Sequence, residues 1–204
     1  MLNRLVVNWV YGGFLAGLLL LLVTPVLARN WPPALLATFL CLPAYILHQY
    51  EEHDNDRFRE YFNKTFGKGR EILSPMAVFL INVPGVWGVT AVSFWLAAVL
   101  NPGFGLMAAY LLLLNAVIHI VSATISRGYN PGLVTAVLLF VPLGGICIVA
   151  IQKSGFGSAW MHLAGVVAAV GIHAAIAIPV AYVARSGANR SGFTSPAASP
   201  HDLR

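Results

Sequence analysis

Charge is what this sequence has least of. Only 9% of its 204 residues are charged, 58% are hydrophobic, and the mean hydropathy is +0.77. A soluble domain usually carries about 25% charged residues. Acidic side chains are rarer still, because the chain has seven and none stands at positions 1–50 or 72–201. This deficit argues against an ordinary soluble domain and predicts a protein that lies in a lipid bilayer.

Cysteine is also scarce. The two cysteines, Cys41 and Cys147, both fall inside apolar runs, and their spacing matches no metal motif. Such residues behave as small buried hydrophobes, so we expect two buried thiols and no disulfide framework.

Long hydrophobic runs are what the sequence has in abundance. A membrane-spanning helix needs ~20 mostly apolar residues, so we predict an all-α fold, a bundle of six transmembrane helices. The predicted spans are residues 5–27, 32–50, 74–99, 104–126, 131–151 and 158–184. The second helix should continue in the cytoplasm to about residue 66, before Gly67. Residues 185–204, rich in Ser, Gly, Ala and Pro, predict a disordered tail.

The distribution of Lys and Arg predicts the orientation. With six spans, the N-terminus, the loop 51–73, the turn 127–130 and the tail share one side of the membrane. Ten of the twelve basic residues fall on that side, and only Arg29 and Lys153 fall on the other. Both termini should therefore be cytoplasmic, in the plasma membrane. Anionic lipid accounts for the net charge of +5, so we expect no nucleic-acid partner.

The stretch HQYEEH, residues 48–53, ends the second apolar run. On a helix, His48, Glu51 and Glu52 occupy positions i, i+3 and i+4 and share one face. His53 is turned ~140° away from His48, so we expect it near the lipid headgroups. A site that uses carboxylate must draw on residues 51–71, since the flanking spans contain none.

Polar residues from other helices should reach the same half of the bilayer. At 1.5 Å of rise per residue, His119 and Asn82 lie ~12 Å from the cytoplasmic ends of their helices, and His173 roughly 16 Å. Asn115 precedes His119 by one turn on the same face. Small residues at four-residue steps flank His173, so it should face protein. His162 belongs near the opposite surface.

These side chains favour a metal site. Imidazole and carboxylate ligands suit a divalent metal, zinc or iron. The expected metal ligands are His48, Glu51, Glu52, His119 and His173; the last four are also the expected catalytic residues, and Asn82 and Asn115 would orient them. The first hypothesis is therefore a membrane enzyme with metal-assisted hydrolytic or oxidative chemistry. Its substrate would be a membrane lipid or another lipophilic small molecule.

Other interpretations stay open at this point. Without a metal, adjacent carboxylates repel and the pKa of one should rise, which would provide a general acid. Such a site suits isomerisation or cyclisation of an isoprenoid or sterol-like substrate. A metal or proton transporter, or a lipid-binding protein, is the non-enzymatic alternative. The plainest alternative is a solvated helix end beside packing seams whose polar atoms hydrogen-bond between helices.

Three features in order resemble the HXXEE-motif family of small polytopic membrane proteins. They are the His48, Glu51 and Glu52 motif, the Asn115-x-x-x-His119 pair and the turn Tyr129-Asn130-Pro131-Gly132. The resemblance covers roughly residues 36–135. It implies a helical membrane fold and shared motif residues. It implies no reaction, because the family has no established activity.

Overall fold

The computed structural model describes residues 2–191, and all regular structure in that range is helical. The helices are α1 (Leu2–Leu27), α2 (Pro33–His53), α3 (Arg57–Thr65), α4 (Pro75–Val99), α5 (Pro102–Ser126), α6 (Leu133–Lys153) and α7 (Ala159–Ser191). A single 3-10 turn, Asp54–Asp56, joins α2 to α3. The prediction of an all-α fold is confirmed.

Five of the described helices are long and apolar enough to cross a membrane: α1, α4, α5, α6 and the Ala159–Val183 part of α7. The criterion rests on length and composition alone. It leaves out α2, whose last two turns contain the polar HQYEEH sequence. The prediction of membrane-spanning helices is thus confirmed for five of the six runs.

The helix α2 lies at the centre of the bundle. It packs against α1, α4, α5 and α6, and its residues Cys41, Tyr45 and His48 are almost fully buried. Cys41 and Cys147 are both buried free thiols, as the sequence predicts. Because other helices surround α2, its polar side chains face protein.

The second helix does not continue to residue 66 as expected. It ends at His53, and Asn55 and Asp56 adopt left-handed backbone angles, with φ of +52° and +60°. Asn and Asp tolerate this conformation better than most residues do. The break lets α3 pack Phe58 and Phe62 against the interior cluster that includes Trp9 and Val78. Burial of these aromatic rings stabilises the break, and the intervening Asp-Asn-Asp sequence has low helix propensity.

The helix α3 is fixed to the loop that follows it. Asn63 Oδ1 accepts hydrogen bonds from the backbone N–H groups of Ile72 and Leu73, at 3.0 and 2.9 Å. Arg59 forms ion pairs with Asp56 and Glu71.

The last helix packs on α5 and is longer than expected. A Cβ atom at Gly165 would lie only 2.9 Å from the Tyr110 ring and 3.1 Å from the Leu106 carbonyl oxygen. This close approach is what the predicted stripe of small residues requires. The helix continues to Ser191, beyond the expected end near residue 184. The remainder of the predicted tail, residues 192–204, lies outside the described residues.

Two helices contain π-helical turns, Ile81–Trp87 in α4 and Ala136–Phe140 in α6. Such turns are frequent at functional sites. Both turns meet the polar end of α2. The Asn82 and Trp87 side chains hydrogen-bond Gln49, and the Phe140 ring lies 4.3 Å from the His48 ring, measured between centroids.

Candidate metal centre

His48, Glu52 and His119 come together where α2 and α5 meet. Each offers one ligand atom, and the three atoms lie within 4.8 Å of one another. The Nε2 atom of His48 is 3.6 Å from Glu52 Oε2, and the Nε2 atom of His119 is 3.5 Å from Glu52 Oε1. All three residues are at least 94% buried. We call these three residues the His/Glu group.

A glycine makes the close approach of the two histidine rings possible. The ring centroids of His48 and His119 lie 5.0 Å apart, and Gly132 sits against both rings. A Cβ atom at this position would lie 2.8 Å from the Cε1 atom of each ring. The φ angle of Gly132 is +95°, which side chains rarely tolerate. The turn that precedes α6 therefore covers one side of the group.

Asn130 determines which nitrogen of His119 carries the hydrogen. Its amide nitrogen donates to the His119 carbonyl oxygen at 3.0 Å, and its Oδ1 lies 2.6 Å from His119 Nδ1. An amide oxygen can only accept a hydrogen bond, so Nδ1 must be the donor. In the neutral ring, Nε2 then presents a lone pair towards Glu52.

Glu51 points away from the group, towards the start of α6. Its two oxygens accept hydrogen bonds from the hydroxyl of Tyr129 at 2.9 Å and the backbone N–H groups of Val134 and Thr135 at 3.1 and 2.7 Å. The Thr135 hydroxyl also donates to Glu51, at 2.5 Å. Glu51 thus joins α2 to the beginning of α6.

These hydrogen bonds keep Glu51 ionised. Burial raises the pKa of the Glu51 carboxyl, but the hydrogen bonds from Thr135, Tyr129 and Val134 outweigh it and hold the pKa below its usual value. Adjacency to Glu52 therefore does not raise the pKa of Glu51. Its neighbour Glu52 points to the other side of the helix end, towards the histidines.

The same contacts orient the ring of His48. The Thr135 hydroxyl gives its hydrogen to Glu51, so its oxygen accepts from His48 Nδ1–H at 2.9 Å. The Nε2 atom of His48 is then an unprotonated acceptor that faces Glu52. This buried atom has no hydrogen-bond partner in the described part of the chain.

The His/Glu group fits a metal ion. Two imidazole lone pairs and a carboxylate converge, and the 3.5 and 3.6 Å separations are too long for hydrogen bonds. A tetrahedral site with bonds of ~2.1 Å has ligand atoms ~3.4 Å apart. Metal-bound histidines usually donate their other nitrogen to an oxygen that fixes the ring, as both do here. The group could therefore hold a metal ion.

Two of the five predicted ligands lie outside this group. Glu51 is held by the 129–135 segment, and His173 stands on α7 with its Nδ1 atom 2.9 Å from the Ala169 carbonyl oxygen. The two predicted orienting residues also lie elsewhere. Asn82 accepts a hydrogen bond from Gln49 at 2.9 Å, and Asn115 lies on the wall of an adjoining cavity.

Asn130 and Thr135 orient the histidines, a role that the sequence alone did not predict for either residue. The signal for Asn130 was its place in the turn that accompanies the motif. The following Pro131 is typical of a helix start and so suggests another role for Asn130, that of a helix N-cap. Thr135 has no sequence signal that separates it from other threonines, because its role depends on contacts with α2.

His53 is buried beside the group, not at the headgroups as expected. Its Nε2 atom lies 3.1 Å from Glu52 Oε2, and only 5% of the residue is exposed. The Trp9 and Phe58 rings enclose it, each with a centroid 5.2 Å away. The break after α2 brings Phe58 into this position.

An apolar cavity of about 470 Å³ adjoins the His/Glu group. This volume lies in the lower part of the ~300–1,000 Å³ range of small-molecule sites. Glu52 and His119 reach its wall, and residues of α3, α4, α5 and α7 surround it. Most of its lining is aromatic or aliphatic, including Phe58, Phe62, Ile172, Ile176 and Val180.

Comparison with known proteins places the chain in a family. A family model described as "Protein of unknown function with HXXEE motif" matches residues 39–147, more than half of the chain. The matched range contains the whole His/Glu group as well as Glu51, Asn130 and Thr135. No curated protein and no solved structure matches the chain. On the family match, the chain belongs to the HXXEE-motif proteins of unknown function.

Proposed function

We propose that this protein is an integral membrane enzyme that uses a divalent metal to act on a lipophilic substrate. The observation that carries the proposal is the convergence of two histidine Nε2 atoms and one carboxylate beside an apolar cavity. Such a set of electron-pair donors is suited to hold a cation at its centre. The cavity provides the space in which a lipophilic molecule would meet it.

The donor set supports zinc or iron. Catalytic zinc sites use three protein ligands and leave a fourth position open, whereas two histidines and one carboxylate are also the ligands of ferrous oxygenases. Bound in this place, zinc would supply Lewis-acid and hydrolytic chemistry, and iron would supply oxidative chemistry. Glu52 and His119 line the cavity, so the open position would face the substrate.

The residues around the group have separate tasks in this proposal. Glu51, through Thr135, orients His48, and Asn130 orients His119. The apolar lining excludes water from the substrate. His173 stands on the cavity wall, where we propose that it acts as an acid–base partner for the polar end of the substrate.

The proposal includes the arrangement in the membrane. We propose that residues 32–50 form a sixth span enclosed by the other five, with both termini on the cytoplasmic side. With 21 residues, α2 is long enough to span the bilayer. Its burial among apolar helices keeps its polar end away from lipid. The His/Glu group would then lie near the cytoplasmic leaflet, within reach of lipid chains.

Elemental analysis of the purified full chain tests the proposal. We expect one zinc or iron ion per chain, and its loss in His48→Ala, Glu52→Gln and His119→Ala. The matched control is His162→Ala, because His162 contacts Tyr110 and Gln152 and lies outside the group. If neither the protein as isolated nor protein reconstituted with zinc or iron holds stoichiometric metal, the metal proposal is wrong. Metal-free acid–base chemistry would then be the better hypothesis.

A further inference from the structure

A second cavity, of about 370 Å³, lies beside the start of α1. Its wall contains five polar side chains from α1, the turn after α2 and α3: Asn8, Tyr11, Asn55, Asp56 and Arg59. The first three residues are exposed and the other two are half-buried, so water reaches this space. We call it the polar cleft, in contrast to the apolar cavity beside the His/Glu group.

His53 and Val78 line both the polar cleft and the apolar cavity, and no other described residue does. They are only 5% and 4% exposed, so together they separate the two spaces. The His53 ring also contacts the His/Glu group, because its Nε2 atom lies 3.1 Å from Glu52 Oε2. This ring therefore stands between the polar cleft and Glu52.

Packing holds the His53 ring in place. The Trp9 and Phe58 rings enclose it, and neither of its nitrogens has a hydrogen-bond partner among residues 2–191. Both nitrogens are buried, so in this arrangement the ring offers no ligand atom to the polar cleft. The ring is a barrier, and it can turn without breaking a hydrogen bond.

The two spaces differ in how well they accept a metal ion from water. The lining of the apolar cavity is mostly aromatic and aliphatic, and transfer of an ion into such surroundings is strongly unfavourable. The polar cleft instead offers water together with amide and carboxylate oxygens. The cationic side chain in its wall, Arg59, forms ion pairs with Asp56 and Glu71, so it adds no net positive charge.

We propose that the polar cleft is the route by which a divalent metal ion passes from water to the His/Glu group, and that the His53 ring is the gate on this route. This inference rests on the proposed function, since it takes the His/Glu group as the metal site. It gives the two ligands separate entrances: the ion enters through the polar cleft, and the lipophilic substrate uses the apolar cavity.

The rates of metal exchange in the full chain, held in lipid nanodiscs, test the route. Uptake of zinc by metal-free protein and its release from loaded protein are both followed with a water-soluble chromophoric chelator. In His53→Ala, we expect uptake and release to accelerate by roughly tenfold, because no ring has to move. The affinity should be unchanged, since removal of a barrier alters both rates by the same factor.

Further variants separate a gate from a ligand. His53→Phe retains a ring of similar size without the nitrogens, so exchange should stay as slow as in wild type. If His53 instead transferred the ion to Glu52, both variants would exchange more slowly, and if it oriented Glu52, both would bind zinc more weakly. Either result would overturn the gate. Ile176→Ala enlarges only the apolar cavity and should leave both rates unchanged.

A chemical block of the polar cleft provides a second test that leaves His53 intact. Asn8→Cys places a thiol in the exposed wall, and the native thiols are buried, so a bulky maleimide modifies the new cysteine alone. Modification should slow zinc uptake about tenfold, whereas modification of Lys64→Cys, outside the cleft, should not.

The outcomes distinguish this inference from the metal proposal. Unchanged rates in both His53→Ala and modified Asn8→Cys, in protein that binds stoichiometric zinc, overturn the route and leave the metal site in place. Protein that holds no metal overturns both.

Discussion

The Asn130 side chain forms two hydrogen bonds with His119, accepting from its ring Nδ1 at 2.6 Å and donating to its carbonyl oxygen at 3.0 Å. One side chain therefore sets both the hydrogen position and the orientation of the imidazole. The contact joins the turn before α6 to α5, eleven residues earlier in the chain. It places the lone pair of His119 Nε2 towards Glu52.

Replacing Asn130 should weaken metal binding without removing a ligand. In Asn130→Ala, the His119 ring loses its acceptor and can rotate, so we expect metal affinity to fall about 10–100-fold. Competition with a chromophoric chelator measures the affinity. Asn101→Ala is the control, because Asn101 caps the start of α5 far along the helix from His119. Unchanged affinity in Asn130→Ala would contradict the orienting role.

The two adjacent glutamates should behave differently. Glu52→Gln replaces a ligand, so we expect stoichiometric metal to be lost. Glu51→Gln retains the shape of a side chain that only supports His48 through Thr135, so the site should still bind metal about tenfold more weakly. Metal content and chelator competition distinguish the two results. Complete loss of metal in Glu51→Gln would instead make Glu51 a ligand.

Gly132 should tolerate no side chain. In Gly132→Ala, the added methyl group would collide with both histidine rings at a φ of +95°. We expect a loss of about 1–3 kcal/mol in stability together with a loss of metal, measured by thermal unfolding and elemental analysis. Gly145→Ala is the matched control in α6, because its Cβ would meet no described atom within 4 Å. Equal behaviour of the two variants would refute the steric argument.

The orientation of the chain is open to a labelling experiment. The native thiols Cys41 and Cys147 are buried, so new cysteines at Lys64 and Lys153 can be labelled selectively. With cytoplasmic termini and six spans, an impermeant maleimide should label Lys153→Cys in intact cells and Lys64→Cys only after permeabilisation. Labelling of both sites from the same side would show that the number of spans between them is even.

The helical fold was predictable because hydrophobic runs of span length leave few alternatives for the backbone. The shared face of His48 and Glu52 was also predictable, since helical spacing alone sets it. The proximity of His119 followed from its depth in the membrane. These predictions need only local geometry and the thickness of the bilayer.

The remaining features depend on tertiary contacts that local patterns do not encode. The break at Asn55 and Asp56 accompanies burial of Phe58 and Phe62, which the helix formers on either side of it do not indicate. The burial of His53 beside Phe58 is a consequence of the same break after α2. Thr135 acquires its role only through its contacts with His48 and Glu51 at the end of α2.

The contacts of Glu51 connect the first and last residues of the motif, His48 and Glu52. A path of contacts runs from Glu51 through the Thr135 hydroxyl to His48, and from His48 across the centre of the group to Glu52. The path begins and ends on neighbouring residues of one helix. The motif residues, which lie on a single turn of α2, therefore form a closed ring of contacts together with one threonine from α6. Inserting or deleting one residue between His48 and Glu52 would rotate His48 by ~100° relative to Glu52 and so open the ring.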